Sequence, residues 1–360
     1  MESLAVELLE RIFFFACTDG GYTGCSLSLV SKNIRDASRA ARFYSVSLME
    51  SSVCQLTEFN TCFRAERARA LAQGTTLRVR HLCISACKSE QTRFRPKREE
   101  QAPLSIGRGI TGMSSSPCWM NAVMGRMDVG PDQQQAFDDA VSALLTAVAP
   151  DLRTLAVCHG WATFAKHFRM PSLDGVPVEF PALEELTLAG MEWNFRTNHG
   201  MFGAPAAAAL PRLERLHITD VGATGRYIDL GVWSARAPRL THLRLTNMGP
   251  YTDVWPQVKR VVAPDSDGTS AELLFPNLEQ LVLQPNVIGG KSTESYTDRI
   301  QDLGLLATRP LVILPLREHV NQTDERTATK ALWMDRIAGG PGCWEAVDNL
   351  SKPPLPESAA

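Results

Sequence analysis

The sequence predicts an α/β fold, in which an irregular solenoid with a curved parallel sheet and helices on its convex side follows a small all-α module. Two observations support this prediction. One sequence phrase recurs five times in the 360 residues: an apolar residue, then proline, then any residue, then Leu-x-x-Leu-x-apolar. The copies begin at Ala149, Phe180, Leu210, Ala237 and Phe275. The first 48 residues lack the phrase and carry apolar residues at helical spacing instead.

The composition is that of a folded globular chain, with 44% apolar and 21% charged residues. A net charge of −2 gives no long-range attraction to phosphate groups, so we expect neither nucleic acid nor a membrane as a partner. The nine cysteines form no Cys-x-x-Cys pair, which favours a reducing compartment. With no secretory signal and no apolar run of about 18 residues, we expect a cytoplasmic or nuclear protein.

Residues 1–48 form the predicted all-α module. Its first helix has an apolar surface wider than the core of so small a module requires, so a partner is expected to cover part of it. A glycine-rich turn at 19–24, a second apolar run, an Ala/Arg helix and a short strand at 45–48 follow. The apolar residues of the first helix include Leu4, Leu8, Ile12 and Phe15.

Residues 49–345 form the predicted solenoid, in which each unit is a helix, a proline and a strand. Proline has no N–H and disfavours helical geometry in the residue before it, so it ends the helix and lets the alternating Leu-x-Leu strand begin. The clearest helix covers 134–149. A weaker copy at 79–84, and a last strand at 311–316 after a helix at 296–307, bring the expected total to six or seven strands.

Three further segments carry separate predictions. Residues 88–132 lack sustained periodicity and are expected to be a mobile insertion, either a spacer or a regulated docking segment. The helix expected at 325–338 is interpreted as a cap for the open end of the solenoid, or alternatively as a helix for a partner. Residues 346–360 are expected to be a disordered tail.

If the leucines point inward, the residues between them lie on the concave face of the sheet. There Glu185 and Arg215 are expected to form an exposed cross-strand pair. Each of these residues alone is compatible with a merely solvated surface. As a cluster they predict a target-binding patch that favours acidic partners. The patch consists of Arg215, His217, His242 and Arg244.

The phrases resemble those of the leucine-rich repeat family between residues 77 and 316. In that family a buried Asn or Cys follows each strand, and Cys87 and Asn286 occupy that position here. Met191, Val221 and Met248 replace it in the middle copies, so the repeat is irregular.

The first module resembles the F-box, which docks onto the Skp-type adaptor of cullin-RING ubiquitin ligases. The resemblance covers residues 3–48 and rests on Leu-Ala-Val-Glu-Leu-Leu-Glu-Arg-Ile-Phe at 4–13, Leu-Ser-Leu-Val-Ser-Lys at 27–32, Arg35 and Phe43-Tyr44. Ala5 stands where the family has proline, and Ile34 where it often has an aromatic residue. Together with Gly-Gly-Pro-Gly-Cys-Trp at 339–344, the style resembles F-box proteins of mushroom-type fungi.

The resemblance implies a substrate-recognition subunit of an SCF-type ligase: the F-box would bind the adaptor and through it a cullin, and the solenoid would bind an unknown target protein. The alternatives are a leucine-rich-repeat scaffold without ligase association and, for the apolar residues of the module, an ordinary helical core. The implied adaptor contacts are Leu4, Leu8, Ile12, Leu29, Val30 and Lys32.

No enzyme, cofactor or metal site is expected, since no nucleophile, base and acid, and no metal-ligand pair, can be assembled from spacing. Gly290-Lys291-Ser292-Thr293 resembles the end of a phosphate-binding loop, but Pro285 stands where that loop requires glycine. A nucleotide hydrolase that uses Lys291 is therefore the weakest alternative. Gly107-x-Gly109-x-x-Gly112 has no strand before it and is expected to be a loop.

Overall fold

The computed structural model describes residues 4–49, 51–85, 131–158, 179–189, 210–219, 228–249, 254–263, 273–286, 293–315 and 322–344. The expected insertion at 88–132 lies outside these residues except for its last two, and the expected tail at 346–360 lies entirely outside them. Cys87, Met191, Val221, Lys291 and the glycine loop at 107–112 also fall outside the described residues.

The described residues contain nine helices and eight strands. The helices are α1 (Val6–Ala16), α2 (Tyr22–Val30), α3 (Lys32–Ala37), α4 (Val53–Ala72), α5 (Pro131–Val148), α6 (Leu230–Arg236), α7 (Val254–Val262), α8 (Thr293–Leu306) and α9 (Gln322–Ile337). The strands are β1 (Ser45–Leu48), β2 (His81–Ser85), β3 (Thr154–Cys158), β4 (Glu185–Ala189), β5 (Arg215–Ile218), β6 (His242–Met248), β7 (Gln280–Pro285) and β8 (Leu311–Ile313). Short 3-10 turns cover Ala41–Phe43 and Gly342–Trp344.

The strands form a single parallel sheet in which each strand lies beside its neighbour in sequence, from β1 to β8. This confirms the α/β class and the parallel sheet. The structure has one strand more than the six or seven predicted, because Ser45–Leu48 of the first module pairs with β2 as an edge strand. The predicted strand at 79–84 begins at His81, and the one at 311–316 ends at Ile313.

The five proline phrases share one turn. In each, the leucine two positions after the proline donates its backbone N–H to the carbonyl oxygen of the residue that precedes the proline, with N–O distances of 3.0 to 3.4 Å. Proline therefore occupies the second position of a β-turn, where its fixed φ is favourable. Successive turns also bond to one another, as Glu184 N does to Arg153 O at 2.8 Å and Glu214 N to Glu184 O at 2.9 Å. The phrase thus aligns each new strand with the preceding one.

The two faces of the sheet differ sharply. We call the face that carries Leu82, Leu155, Leu186, Leu216, Leu243 and Leu281 the leucine face, because these residues pair in one row. Helices α4 to α8 pack on this face and share one continuous core with it. Its leucines are at most 2% exposed, and burying such a side chain stabilises the fold by about 1.5–3 kcal/mol.

The opposite face is named the histidine face. One of its rows is His81, Thr154, Glu185, Arg215, His242 and Gln280, and the other is Cys83, Ala156, Thr187, His217, Arg244 and Val282. These are the residues that the alternation of leucines assigned to one face, so the predicted register is confirmed.

Two helices of the predicted solenoid follow their sequence patterns. Helices α5 and α8 lie where apolar spacing predicted them, at 134–149 and 296–307. Helix α4 was not predicted. It begins at a capping box in which Ser52 Oγ accepts from Gln55 N at 3.2 Å and Gln55 Oε1 accepts from Ser52 N at 3.0 Å.

Helix α9 corrects a prediction. Its position in the sequence matches the helix expected at 325–338, but it does not cap the end of the sheet. It lies across β2, β3 and β4 on the histidine face, and the 3-10 turn at Gly342–Trp344 packs against it. We call residues 322–344 the C-terminal segment.

Hydrogen bonds from backbone groups and from the Ser45 side chain join the helices of the first module to the edge of the sheet. In the α1–α2 loop, Gly20 N donates to Ser45 Oγ at 3.1 Å and Gly20 O accepts from Ser47 N at 2.9 Å. Ser45 Oγ also donates to Cys17 O at 2.5 Å. Phe43 packs on Phe63 of α4 with ring centroids 5.6 Å apart. The loop therefore continues the edge of the sheet beyond β1.

Candidate functional site

Helix α1 has one face in the core of the first module. Phe13 is 4% exposed and Cys17 and Ala41 are fully buried, and Leu9 and Leu27 pack on them from α1 and α2. The module therefore has a small core of its own. This core uses a different set of residues from those that the F-box resemblance assigns to adaptor binding.

The six residues predicted to contact the adaptor are all exposed. Leu4, Leu8 and Ile12 follow one another at four-residue steps and are 42%, 49% and 51% exposed. Leu29 and Val30, at the end of α2, are 80% and 67% exposed, and Lys32 is also exposed. Phe15 and Tyr22 add two more large exposed side chains. Both helices thus present apolar groups to the outside.

The end of α2 is held by hydrogen bonds that leave its apolar side chains exposed. Ser31 caps α3 by accepting from Ile34 N at 3.2 Å, and Arg35 Nε donates to Ser28 O at 2.6 Å. The start of α2 is held by Asp19, whose carboxylate accepts from Thr23 N at 2.8 Å. The predicted turn at 19–24 is shorter than expected, since α2 begins at Tyr22.

The predicted target-binding residues lie together on β5 and β6. Arg215 pairs with His242 and His217 with Arg244 in the parallel register, so the sequence placed these four side chains correctly beside one another. They do not form the open patch that was expected. His217 is 6% exposed and shares a hydrogen bond of 3.0 Å with Thr246.

The C-terminal segment occupies much of this patch. The Arg244 guanidinium donates to the carbonyl oxygen of Cys343. The His242 ring meets the Trp344 ring edge to face, with centroids 5.7 Å apart. Trp344 is itself buried. Two of the four predicted target contacts are therefore made to the chain itself.

Glu185 is the centre of the contact. The sequence predicts an exposed pair between Glu185 and Arg215, and this prediction is wrong because Glu185 is only 8% exposed. One oxygen of its carboxylate lies 2.8 Å from Arg336 Nε, and the other accepts from Trp344 Nε1 at 3.3 Å. Trp333 adds a second indole contact by donating to Thr154 Oγ1 at 3.2 Å.

Sequence reasoning missed Glu185, Trp333, Arg336 and Trp344 as a unit. The available signal was a pair of tryptophans in and after a helix rich in charged residues, since such large side chains are rarely left in water. Nothing in the spacing pairs them with a strand roughly 150 residues earlier.

A glycine turn directs Trp344 toward the sheet. Gly339 ends α9 with a φ of 97°, the left-handed conformation that glycine adopts without steric cost. Gly342 has a φ of 62° and donates its N–H to Asp335 Oδ2 at 2.8 Å. A Cβ on Gly342 would lie 3.0 Å from Leu332 O, so any other residue at this position would be crowded as well as strained by the positive φ.

A small cavity lies between α9 and the sheet. It is lined by both sides of the contact, including Thr187 and His217 from the sheet and Thr329 and Leu332 from α9. Its volume of about 20 Å³ is enough for one water molecule. The C-terminal segment therefore leaves no space for a larger ligand at this point.

Burial holds three titratable side chains in neutral forms: His81 and Cys343 beside the contact, and Cys17 in the core of the first module. Burial, with the nearby charges of Arg153, Arg80 and Arg336, lowers the pKa of His81 to about 4. Burial raises the pKa of the Cys343 thiol to about 12 and that of the Cys17 thiol to about 11. Protonated thiols are weak nucleophiles, so these cysteines are suited to packing.

Within the described residues, no group of three or more His, Cys, Asp or Glu side chains is arranged to hold a metal ion. No helix in the same part of the chain has the length and apolarity to cross a membrane. Comparison with family models, with curated proteins and with solved structures finds no match to this chain.

Proposed function

We propose that this protein is the substrate-recognition subunit of an SCF-type cullin-RING ubiquitin ligase, in which the first module binds the Skp-type adaptor and the sheet binds a target protein. In this proposal the first module is an F-box and the sheet is the concave side of an irregular leucine-rich-repeat solenoid. The role is to bring proteins together, and the chemistry of ubiquitin transfer belongs to another subunit.

The exposed apolar surface of α1 and α2 is the observation that carries the proposal. A module that already has a core around Phe13 gains nothing by exposing Leu8, Ile12, Leu29 and Val30 to water. Apolar surface of this kind is typical of protein interfaces, where its burial drives association. These residues are the ones that the F-box resemblance assigns to adaptor binding.

The order of the sheet supports the solenoid part of the proposal. Strands that are neighbours both in sequence and in space are typical of repeat proteins, and β3 to β7 are each introduced by the same proline turn. Asn286 after β7 is buried, as the leucine-rich repeat pattern requires, and Met248 at the end of β6 is also buried. Repeat proteins use the long face of such a sheet for binding.

Adaptor docking is tested by co-purification of the full chain with a Skp-type adaptor. Leu29→Glu and Val30→Glu place a charge on the proposed interface and should abolish co-purification without changing the circular dichroism spectrum, because both side chains are exposed. Leu71→Glu is the matched control, since Leu71 is 74% exposed but lies on α4, outside the module. It should leave co-purification intact.

Two outcomes would contradict the proposal: a wild-type chain that does not retain the adaptor, or equal effects of Leu29→Glu and Leu71→Glu. The first outcome would favour the scaffold without ligase association. Point substitutions are preferable to removal of residues 1–48, since that deletion would also take away the edge strand β1.

A further inference from the structure

The C-terminal segment is the most extensive feature of the structure that the proposed function leaves unexplained. It covers the face on which a target is expected, and it uses side chains of a narrow chemical type. Trp333 and Trp344 contribute indole N–H groups and Arg336 contributes a guanidinium. On the sheet, the carboxylate of Glu185 and the hydroxyl of Thr154 accept these hydrogen bonds.

The sheet and its helices have a complete core without this segment. The large core between the leucine face and helices α4 to α8 contains no residue of α9. The apolar contacts of α9 form a separate small cluster around Cys83, Ala156 and Trp333, with Met49, Met334 and Ile337 at its margin. Loss of α9 from the sheet would therefore leave the main core intact.

The polar part of the contact is of a kind that water can replace. It is centred on a partly buried ion pair and on single hydrogen bonds from indoles, and a cavity with room for one water remains within it. Six of the sixteen residues of α9 are charged, so the helix can be solvated when it leaves the sheet. These charged residues are Asp324, Glu325, Arg326, Lys330, Asp335 and Arg336.

We propose that the C-terminal segment is an internal ligand of the histidine face, and that this face accepts in its place a partner peptide that presents an arginine flanked by tryptophans to Glu185. The segment closes the face while no partner is bound. A partner with the same chemistry displaces it by competing for the Glu185 carboxylate and for the His242 ring. Only the identification of this partner as a ligase target rests on the proposed function.

The proposal reverses the charge preference expected from the sequence. Arg215 and Arg244 suggested acidic partners, but Arg244 contacts a backbone carbonyl and the buried charge that the segment meets is the carboxylate of Glu185. A carboxylate at this depth favours a cation that brings directed N–H donors, and guanidinium meets that requirement better than ammonium. The partner is therefore expected to be basic and aromatic.

Hydrogen exchange on the full wild-type chain tests whether the segment opens by itself. Amides of α9 should exchange at least about tenfold faster than those of β3 and β4, because opening of the segment leaves the main core folded. Glu185→Gln should speed exchange of α9 by about a further tenfold. Glu184→Gln is the matched control, since the adjacent carboxylate is 42% exposed and forms an ion pair with Arg153 at 3.8 Å, and it should change exchange less than twofold.

A labelled peptide of residues 322–344, added to full-length chains, tests whether the face accepts a ligand from outside. Trp344→Ala weakens the internal segment but keeps Glu185, so this chain should bind the peptide at least about tenfold more tightly than wild type. Adding Glu185→Gln should remove that binding, and adding Glu184→Gln should not.

The proposal is overturned if α9 in the wild type exchanges in step with β3 and β4, since the segment is then a permanent part of the fold. It is equally overturned if the folded Trp344→Ala chain does not bind the peptide. Neither measurement involves the adaptor, so failure of the adaptor co-purification and failure of this proposal are distinguishable.

Discussion

Alanine substitutions on α1 and α2 separate the core of the first module from its proposed interface. Leu29 is 80% exposed, so only about a fifth of its side chain is removed from water in the free chain. With about 1.5–3 kcal/mol for a fully buried leucine, Leu29→Ala should reduce the free energy of unfolding by about 0.5 kcal/mol or less. Phe13 is 4% exposed, and Phe13→Ala should reduce it by about 3–5 kcal/mol.

Leu27 provides an intermediate case on the same helix as Leu29. It packs on the module core while remaining partly exposed, so Leu27→Ala should fall between the other two variants. Urea denaturation followed by circular dichroism measures all three, provided that the dependence on urea concentration is unchanged. A loss of more than about 2 kcal/mol in Leu29→Ala would show that this residue belongs to a core, and would refute the assignment of Leu29 to a docking surface.

Three other perturbations have defined outcomes. Gly342→Ala should release the C-terminal segment and speed its hydrogen exchange by about tenfold, because the new Cβ would require a strained φ and would crowd Leu332 O; Gly74→Ala, at a φ of 68° with no atom within 4 Å, should leave that exchange unchanged. His81 should lower the free energy of unfolding in acid, because its imidazole takes up a proton near pH 6.5 in the unfolded chain but only near pH 4 in the folded chain. Its contribution should be fully present above pH 6.5, should fall by up to about 3 kcal/mol as the pH is lowered to 4, and should be absent in His81→Gln denaturation curves; parallel curves for the two chains would contradict this. Leu216→Ala, on the fully buried leucine face, should lower the unfolding free energy by about 2–5 kcal/mol in urea, and a loss below 1 kcal/mol would place this row outside the core.

The sheet was predictable from the sequence because its signal is local and repeated. Each proline phrase contains both the turn and the alternation that orients the strand, so the positions of β3 to β7 and the pairing of His217 with Arg244 followed from short windows. The strand at 45–48 was also recognised, but its pairing with β2 was not. A four-residue strand contains no information on its neighbour, which is fixed by the fold around it.

The covering of the histidine face could not be predicted in the same way. Apolar spacing in α9 indicated a buried side but not the surface that buries it, and a cap at the end of the sheet satisfies the same pattern. The contact between Glu185 and Arg336 joins residues 151 positions apart. Alternation along β4 to β6 correctly indicated which side chains share a face, but it cannot distinguish a face in water from one covered by a distant helix.

The attachment of the α1–α2 loop to the strand edge, through Gly20, Ser45 and Ser47, has a geometric consequence for a receptor of the proposed kind. These hydrogen bonds restrain the first two helices relative to the strands at this point. In the proposed receptor, a protein bound to the sheet would therefore have a restricted range of distances and angles to an adaptor bound to α1 and α2. The position of each lysine on the surface of that protein would then decide whether it comes within reach of the ubiquitin carrier. In the proposed receptor, a longer loop at Gly20 would relax this selection among lysines, while the adaptor-binding and target-binding residues stay unchanged.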